Sequence, residues 1–137
     1  SSLATLEKEQ LAEVVKAETG ESRILVYVRG NVPPSKESLF HSVIYQLRAE
    51  INAVFHIHDQ LVLEAAGELG IPDTGREQPR GSPQLANDVR KLLRSRKNVA
   101  YFILKNHGVV SMGKTLEEAG ELAERMHEMA QKCRRRG

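Results

Sequence analysis

An α/β fold, with helices covering both faces of a central sheet, is predicted by three features of the sequence. Short runs of branched apolar residues alternate with amphipathic helical segments. One run, Val99 to Leu104, is apolar at every position, as a strand covered on both sides requires. Helix-start signatures stand at Asp59, at Ser82-Pro83 and at Thr115-Leu116-Glu117-Glu118, and they punctuate the strands. No repeat, low-complexity linker or composition break divides residues 1–137, so the chain reads as a single domain.

In chain order, residues 3–18 fit two readings. Leu3, Leu6, Leu11, Val14 and Val15 are loosely helical in spacing, yet Leu11 to Ala17 also reads as a strand. In the second case Thr19-Gly20-Glu21-Ser22 turns it into Ile24-Leu25-Val26-Tyr27-Val28, a clear β segment, and the two form a hairpin. Gly30 to Pro34 breaks regular structure, and Ser35 caps a helix running to about Arg48. Its apolar stripe is Leu39, Phe40, Val43, Ile44 and Leu47. Glu37 sits in its first turn, where the helix dipole alone favours a carboxylate. A strand follows over Ala53 to His58. Asp59 then caps a helix from Gln60 to about Leu69, closed by Gly70 and stopped by Pro72. Residues 71–81 read as an irregular loop. The next helix turns Leu85, Val89, Leu92 and Leu93 inward and its basic residues outward. After the Val99–Leu104 strand, Val109-Val110 begins another that Gly113 ends. The last helix buries Ala119, Leu122, Ala123, Met126, Met129 and Ala130, the methionines as core residues.

Composition narrows the function. The chain is 40% hydrophobic and 28% charged, an ordinary soluble balance. Its net charge of +2 is too small to imply a polyanionic partner. Basic residues cluster at Arg90–Lys97 and Arg134–Arg136, but Trp is absent and only three Tyr and three Phe could stack on bases. We therefore expect no nucleic-acid partner. No apolar run approaches the ~20 residues of a membrane span, so no membrane partner is expected either. A lone cysteine, Cys133, and an N-terminus without signal-peptide character place the expected location in the cytoplasm.

The chemistry centres on Val54-Phe55-His56-Ile57-His58. Alternation along a strand puts Val54, His56 and His58 on one face and Ala53, Phe55 and Ile57 on the other. Two residues span about 6.6 Å, which lets two imidazoles reach one ion. Two satisfied, half-buried core histidines are the alternative reading. His107, where the buried strand meets a glycine turn, is the candidate third ligand. Three neutral imidazoles with an open fourth position are a catalytic zinc arrangement, and Glu37 is the carboxylate available for acid–base work.

At these residues the sequence resembles the class II aldolase/adducin family, the group with fuculose-1-phosphate aldolase and ribulose-5-phosphate 4-epimerase. Pro34-Ser35-Lys36-Glu37-Ser38-Leu39-Phe40-His41 is similar to the family's Pro-Ser-Ser-Glu segment with its helical histidine. Ala53 to His58 resembles its His-x-His strand, Asn106-His107-Gly108-Val109-Val110 its third-histidine turn, and Thr115 to Ala119 the start of its final helix. Order and approximate spacing agree from about Leu3 to Lys132.

The resemblance implies a class II aldolase-like, three-layer αβα domain whose sheet is largely antiparallel or mixed. It implies Zn2+, or another divalent metal, on His56, His58 and His107. Glu37 would be the proton-transferring residue; the epimerases carry Asp there. Ser35 matches a phosphate-holding serine, and Lys36 stands where a second such serine is common, able to pair with phosphate as a point charge. His41 is read as a structural helix residue. The implied activity is a metal-dependent aldehyde-lyase acting on a small sugar or sugar phosphate through a metal-stabilised enediolate. A sugar-phosphate dehydratase or epimerase, and a non-catalytic adducin-like module, are the alternatives. A homo-oligomer is expected, a homotetramer first, with neighbours completing the site. The family's Gly-Asn-x-Ser phosphate loop has no counterpart here. The chain is thus expected to be N-terminally incomplete or to take a different substrate. The loop after the His-x-His helix holds no match for the aldolases' tyrosine acid; its polar residues are Arg76, Gln78 and Arg80.

Overall fold

The computed structural model describes residues 24–28, 39–79 and 81–136. The expected strand at Leu11–Ala17, the start of the Ser35 helix and its cap lie outside the described residues. The elements are β1 (Ile24–Val28), α1 (Leu39–Leu47), β2 (Ala53–Ile57), α2 (Gln60–Leu69), α3 (Pro83–Ser95), β3 (Tyr101–Leu104), β4 (Gly108–Gly113) and α4 (Leu116–Arg136).

The four strands form one sheet in the order β1-β2-β4-β3, with every neighbouring pair antiparallel. Strand alternation sorts the side chains onto two faces. Val54, Phe102, Leu104, Val110 and Met112 pack with Phe40, Val43 and Ile44 of α1 and with Leu85, Val89, Leu92 and Leu93 of α3. On the opposite face, Ala53, Phe55 and Ile57 meet Leu116, Ala119 and Ala123 of α4. Tyr101, Ile103 and Val109 meet Val62 and Ala65 of α2 and Ala130 and Cys133 of α4. The result is three layers, helices on each side of a sheet whose faces are both apolar.

Local chemistry sets the ends of the helices. Asp59 accepts the Val62 N–H at 3.2 Å and Ser82 the Leu85 N–H at 3.1 Å. Gly70 closes α2 with a φ of 69°, and Ile71 N–H reaches back to the Ala66 carbonyl. The Arg48 guanidinium spans the C-terminal end of α3, donating to the carbonyls of Leu93, Arg96 and Val99. Two segments depart from expectation. The 71–81 loop is not wholly irregular: Ile103 N–H donates to Pro72 O and Thr74 N–H to Ile103 O, a parallel bridge that satisfies the outer edge of β3. On α4, Met129 is exposed; the buried stripe runs Ala119, Ala123, His127, Ala130 and Cys133, and Met129 falls off that helical face.

His41 is buried in the core, edge-on to Tyr27 and Phe40, and its Nδ1 has no hydrogen-bond partner among the described residues. Burial lowers its pKa from 6.5 to about 4. The folded form therefore holds His41 neutral where the unfolded chain would protonate it. The associated stability is whole above pH 6.5 and is lost as the pH falls towards 4, by at most about 3 kcal/mol. Urea titrations from pH 7 to pH 4.5 are expected to show a shallower acid loss for His41→Leu than for the parent chain. Parallel curves would assign the loss to other groups.

Candidate metal centre

β2 carries His56 into the middle of the sheet end, in register with Leu25 on β1 and Val110 on β4. His58 follows one residue beyond the strand. His56 is buried and His58 half-buried. Their ring centroids lie 5.5 Å apart with planes inclined by 29°. Two imidazoles bound at ~2.0–2.1 Å to one tetrahedral zinc have centroids roughly 5 Å apart, so the pair matches in kind and spacing.

The residue after His58 is anchored from two sides. Asp59 caps α2 with one carboxylate oxygen and takes the other to His127 Nδ1 at 2.7 Å, both side chains being buried. Burial, and after it the same carboxylate, raises the pKa of the Tyr101 phenol, which keeps its proton.

His107 sits in the turn joining β3 to β4. Its N–H donates to Leu104 O at 2.8 Å, Asn106 takes a left-handed φ of 61°, and Gly108 one of 153°. The turn is tied to the 71–79 loop through Lys105 N–H to Thr74 Oγ1 and Asn106 Nδ2 to Glu77 Oε1, both 3.0 Å. Gly108 has a second reason to be glycine. A Cβ there would lie 2.8 Å from Ile57 O and 3.2 Å from His56 Nε2. The bare Cα keeps the Nε2 edge of His56 clear.

His107 Nε2 lies 2.6 Å from the Gln78 carbonyl. A carbonyl oxygen only accepts, so Nε2 is the donor in this contact. His58 and His107 line one open cavity of about 780 Å³ together with Gln60, Asp73, Lys105 and Asn106, over apolar Leu63 and Ile103. The structure thus pairs His56 with His58 and brings His58 and His107 to one cavity. Among the described residues, no three His, Cys, Asp or Glu side chains stand close enough together to hold an ion as placed. The donor set nonetheless fits a zinc ion in kind: His56 and His58 are suitably spaced, Gly108 leaves His56 Nε2 uncrowded, and His107 lines the same cavity as His58. Glu37, Ser35, Lys36 and Arg80 lie outside the described residues.

Sequence reasoning missed His127 and Asp88, and it noted Gln78 only as a polar residue of the 71–81 loop. A signal for His127 existed, since it falls four residues after Ala123 on the apolar stripe of α4. Gln78 and Asp88 lie on a loop and a polar-looking helix position, and no local pattern marks them.

The profile of the Class II Aldolase and Adducin N-terminal domain matches residues 1–133. An L-fuculose phosphate aldolase of Methanococcus maripaludis is 31% identical over 130 residues, covering 82% of this chain and 69% of the relative. A 3-oxo-tetronate 4-phosphate decarboxylase of Haemophilus influenzae is 28% identical over 120 residues, covering 74% of this chain and 56% of that protein. Among solved structures, L-fuculose-1-phosphate aldolase from Thermus thermophilus gives a TM-score of 0.63 at 18% identity, over 90% of this chain and 89% of that one. At that identity the likeness bears on the fold.

Proposed function

The chain belongs to the class II aldolase and adducin family, and from that premise we propose that it is a zinc-dependent aldehyde-lyase acting on a small sugar or sugar phosphate. The observation that carries the proposal is the His56–His58 pair at 5.5 Å beside a cavity that His58 shares with His107. Zinc held by these imidazoles would supply electrostatic stabilisation of oxyanion charge developing on the substrate. Glu37 would move the proton at the carbon next to the cleaved bond, and Ser35 and Lys36 would hold a phosphate. Gln60, Asn106 and Lys105 line the cavity and would meet hydroxyl and anionic groups of the bound sugar.

A second reading, loss of carbon dioxide from a sugar-acid phosphate on the same residues, is favoured by the relative named as a decarboxylase. The two reactions share the break of a carbon–carbon bond and differ in the leaving group, so product analysis separates them. Dehydratase and epimerase chemistry would leave the carbon skeleton whole. An adducin-like role without catalysis would leave the protein unable to turn over any of these substrates.

The deciding experiment measures metal in protein purified without chelator, beside a His56→Ala/His58→Ala variant. About one zinc per chain is expected in the parent and none in the variant. Retro-aldol turnover of fuculose 1-phosphate is expected to follow the metal. Zinc-loaded protein with no turnover on any sugar phosphate would sink the lyase reading. No zinc uptake at all would return the histidines to core residues. We propose a homo-oligomer, with a tetramer foremost, on the family resemblance; a single-chain mass by light scattering would remove that. Among the described residues no helix is long and apolar enough to cross a membrane. A cytoplasmic setting is proposed on the single cysteine, Cys133, which is free and buried. Exported, oxidised protein in fractionated cells would contradict it.

A further inference from the structure

We propose that Asp88 and Gln78 form a strap that holds His107 by its Nε2 and competes with the metal for that nitrogen. The proposal rests on the three-histidine reading above. Three observations carry it. First, the His107 Nε2–Gln78 O contact is 2.6 Å, just below the usual ~2.7–3.2 Å of an N–H···O hydrogen bond. Second, Gln78 is itself held: its side-chain amide donates to Asp88 Oδ2 at 3.0 Å, and Asp88 is a buried carboxylate on α3. The exposed Arg76 guanidinium adds a looser 3.8 Å contact to the same oxygen. Third, His56 and His58 already stand side by side, whereas no third ligand joins them among the described residues while His107 is on the strap.

The chemistry makes the contact a choice. Nε2 cannot donate a proton to Gln78 O and offer a lone pair to an ion at once. His107 leaves the carbonyl, shifts its proton to Nδ1 and then presents Nε2. Gln78 loses one hydrogen bond in the exchange, and its tie to Asp88 holds the carbonyl in place where it takes the ring back. Asp88 and Gln78 are therefore positioning residues. They set how easily the third ligand is recruited, and neither touches the ion.

The test uses the full chain, zinc ions and a competing chromophoric chelator. Gln78→Ala keeps the backbone carbonyl and removes its anchor to Asp88. It is expected to bind zinc about three- to tenfold more tightly than the parent, the worth of one hydrogen bond in an equilibrium constant. Asp88→Asn keeps an acceptor for the Gln78 amide and is expected to bind like the parent. A merely structural loop would do the opposite, lowering the melting temperature of Gln78→Ala while leaving zinc affinity unchanged or weaker, and that result overturns the proposal. Nitrogen-15 shifts of His107 give an independent reading. The metal-free ring is expected to be protonated at Nε2 and the zinc-bound ring at Nδ1. Zinc on Nδ1 with Nε2 still protonated would refute the competition. Equal zinc affinity in parent and Gln78→Ala removes the strap alone. No zinc uptake by either protein removes the metal reading and the strap with it.

Discussion

His127→Ala is expected to cost about 3–5 kcal/mol of folding stability, a loss that urea denaturation at pH 7 would measure directly. The Asp59 carboxylate is almost wholly buried, and its contact with His127 Nδ1 is 2.7 Å, in the range of charge-assisted bonds. Removing the imidazole leaves that carboxylate with the Val62 N–H as its remaining protein donor among the described residues. An under-satisfied buried carboxylate is far costlier than the pair was favourable. A domain of this size has roughly 5–15 kcal/mol in total, so the variant would be marginal. Adding Asp59→Asn is expected to restore part of the loss, because a neutral amide is cheaper to bury and asparagine caps helices as well as aspartate does. The pair joins residues 59 and 127, tying the start of α2 to α4 immediately beyond His58. Zinc affinity of His127→Ala, measured cold where it stays folded, should fall too. A stability loss under about 1 kcal/mol would show that the pair is not the tie proposed here.

Gly108→Ala is expected to destabilise the protein by about 2–4 kcal/mol and to abolish tight zinc binding. Its φ of 153° disfavours a side chain, and the added Cβ would stand 2.8 Å from backbone at Ile57 O, which cannot swing away. It would also press on His56 Nε2 at 3.2 Å, the edge a zinc ion would use under the proposed function. Gly67→Ala is the matched control. Gly67 lies inside α2, and a Cβ there meets nothing within 4 Å. That change should stabilise the helix by about 0.5–1 kcal/mol. Equal zinc affinity in Gly108→Ala and the parent would show that the space in front of His56 is not part of a metal site.

The residues that the sequence places well are those set by local rules. Strand alternation sorted Val54 from Ala53, Phe55 and Ile57, and the structure packs them against opposite helical layers. Asp59, Ser82 and Thr115 read as caps because each needs only a backbone N–H three residues ahead, and each has it. The family motifs were legible for a similar reason: each is a short contiguous string whose order and spacing survive without knowledge of the fold.

Tertiary structure alone decided the remainder. The sheet order β1-β2-β4-β3 sets the histidine strand beside β4 rather than β3, and no period in the sequence encodes which strands pair. The Asp73–Ile103 bridge turned an expected loop into edge cover for β3. Met129 carried an apolar side chain to the solvent face because the stripe of α4 passes through His127 instead. His127 has its partner 68 residues away and His107 has Gln78 29 residues away. Caps and periods arise from a chain's interaction with itself over one turn or one pleat, so composition along the sequence records them. A hydrogen bond between distant polar groups forms only after the apolar layers have closed around it, and the sequence records just its two ends.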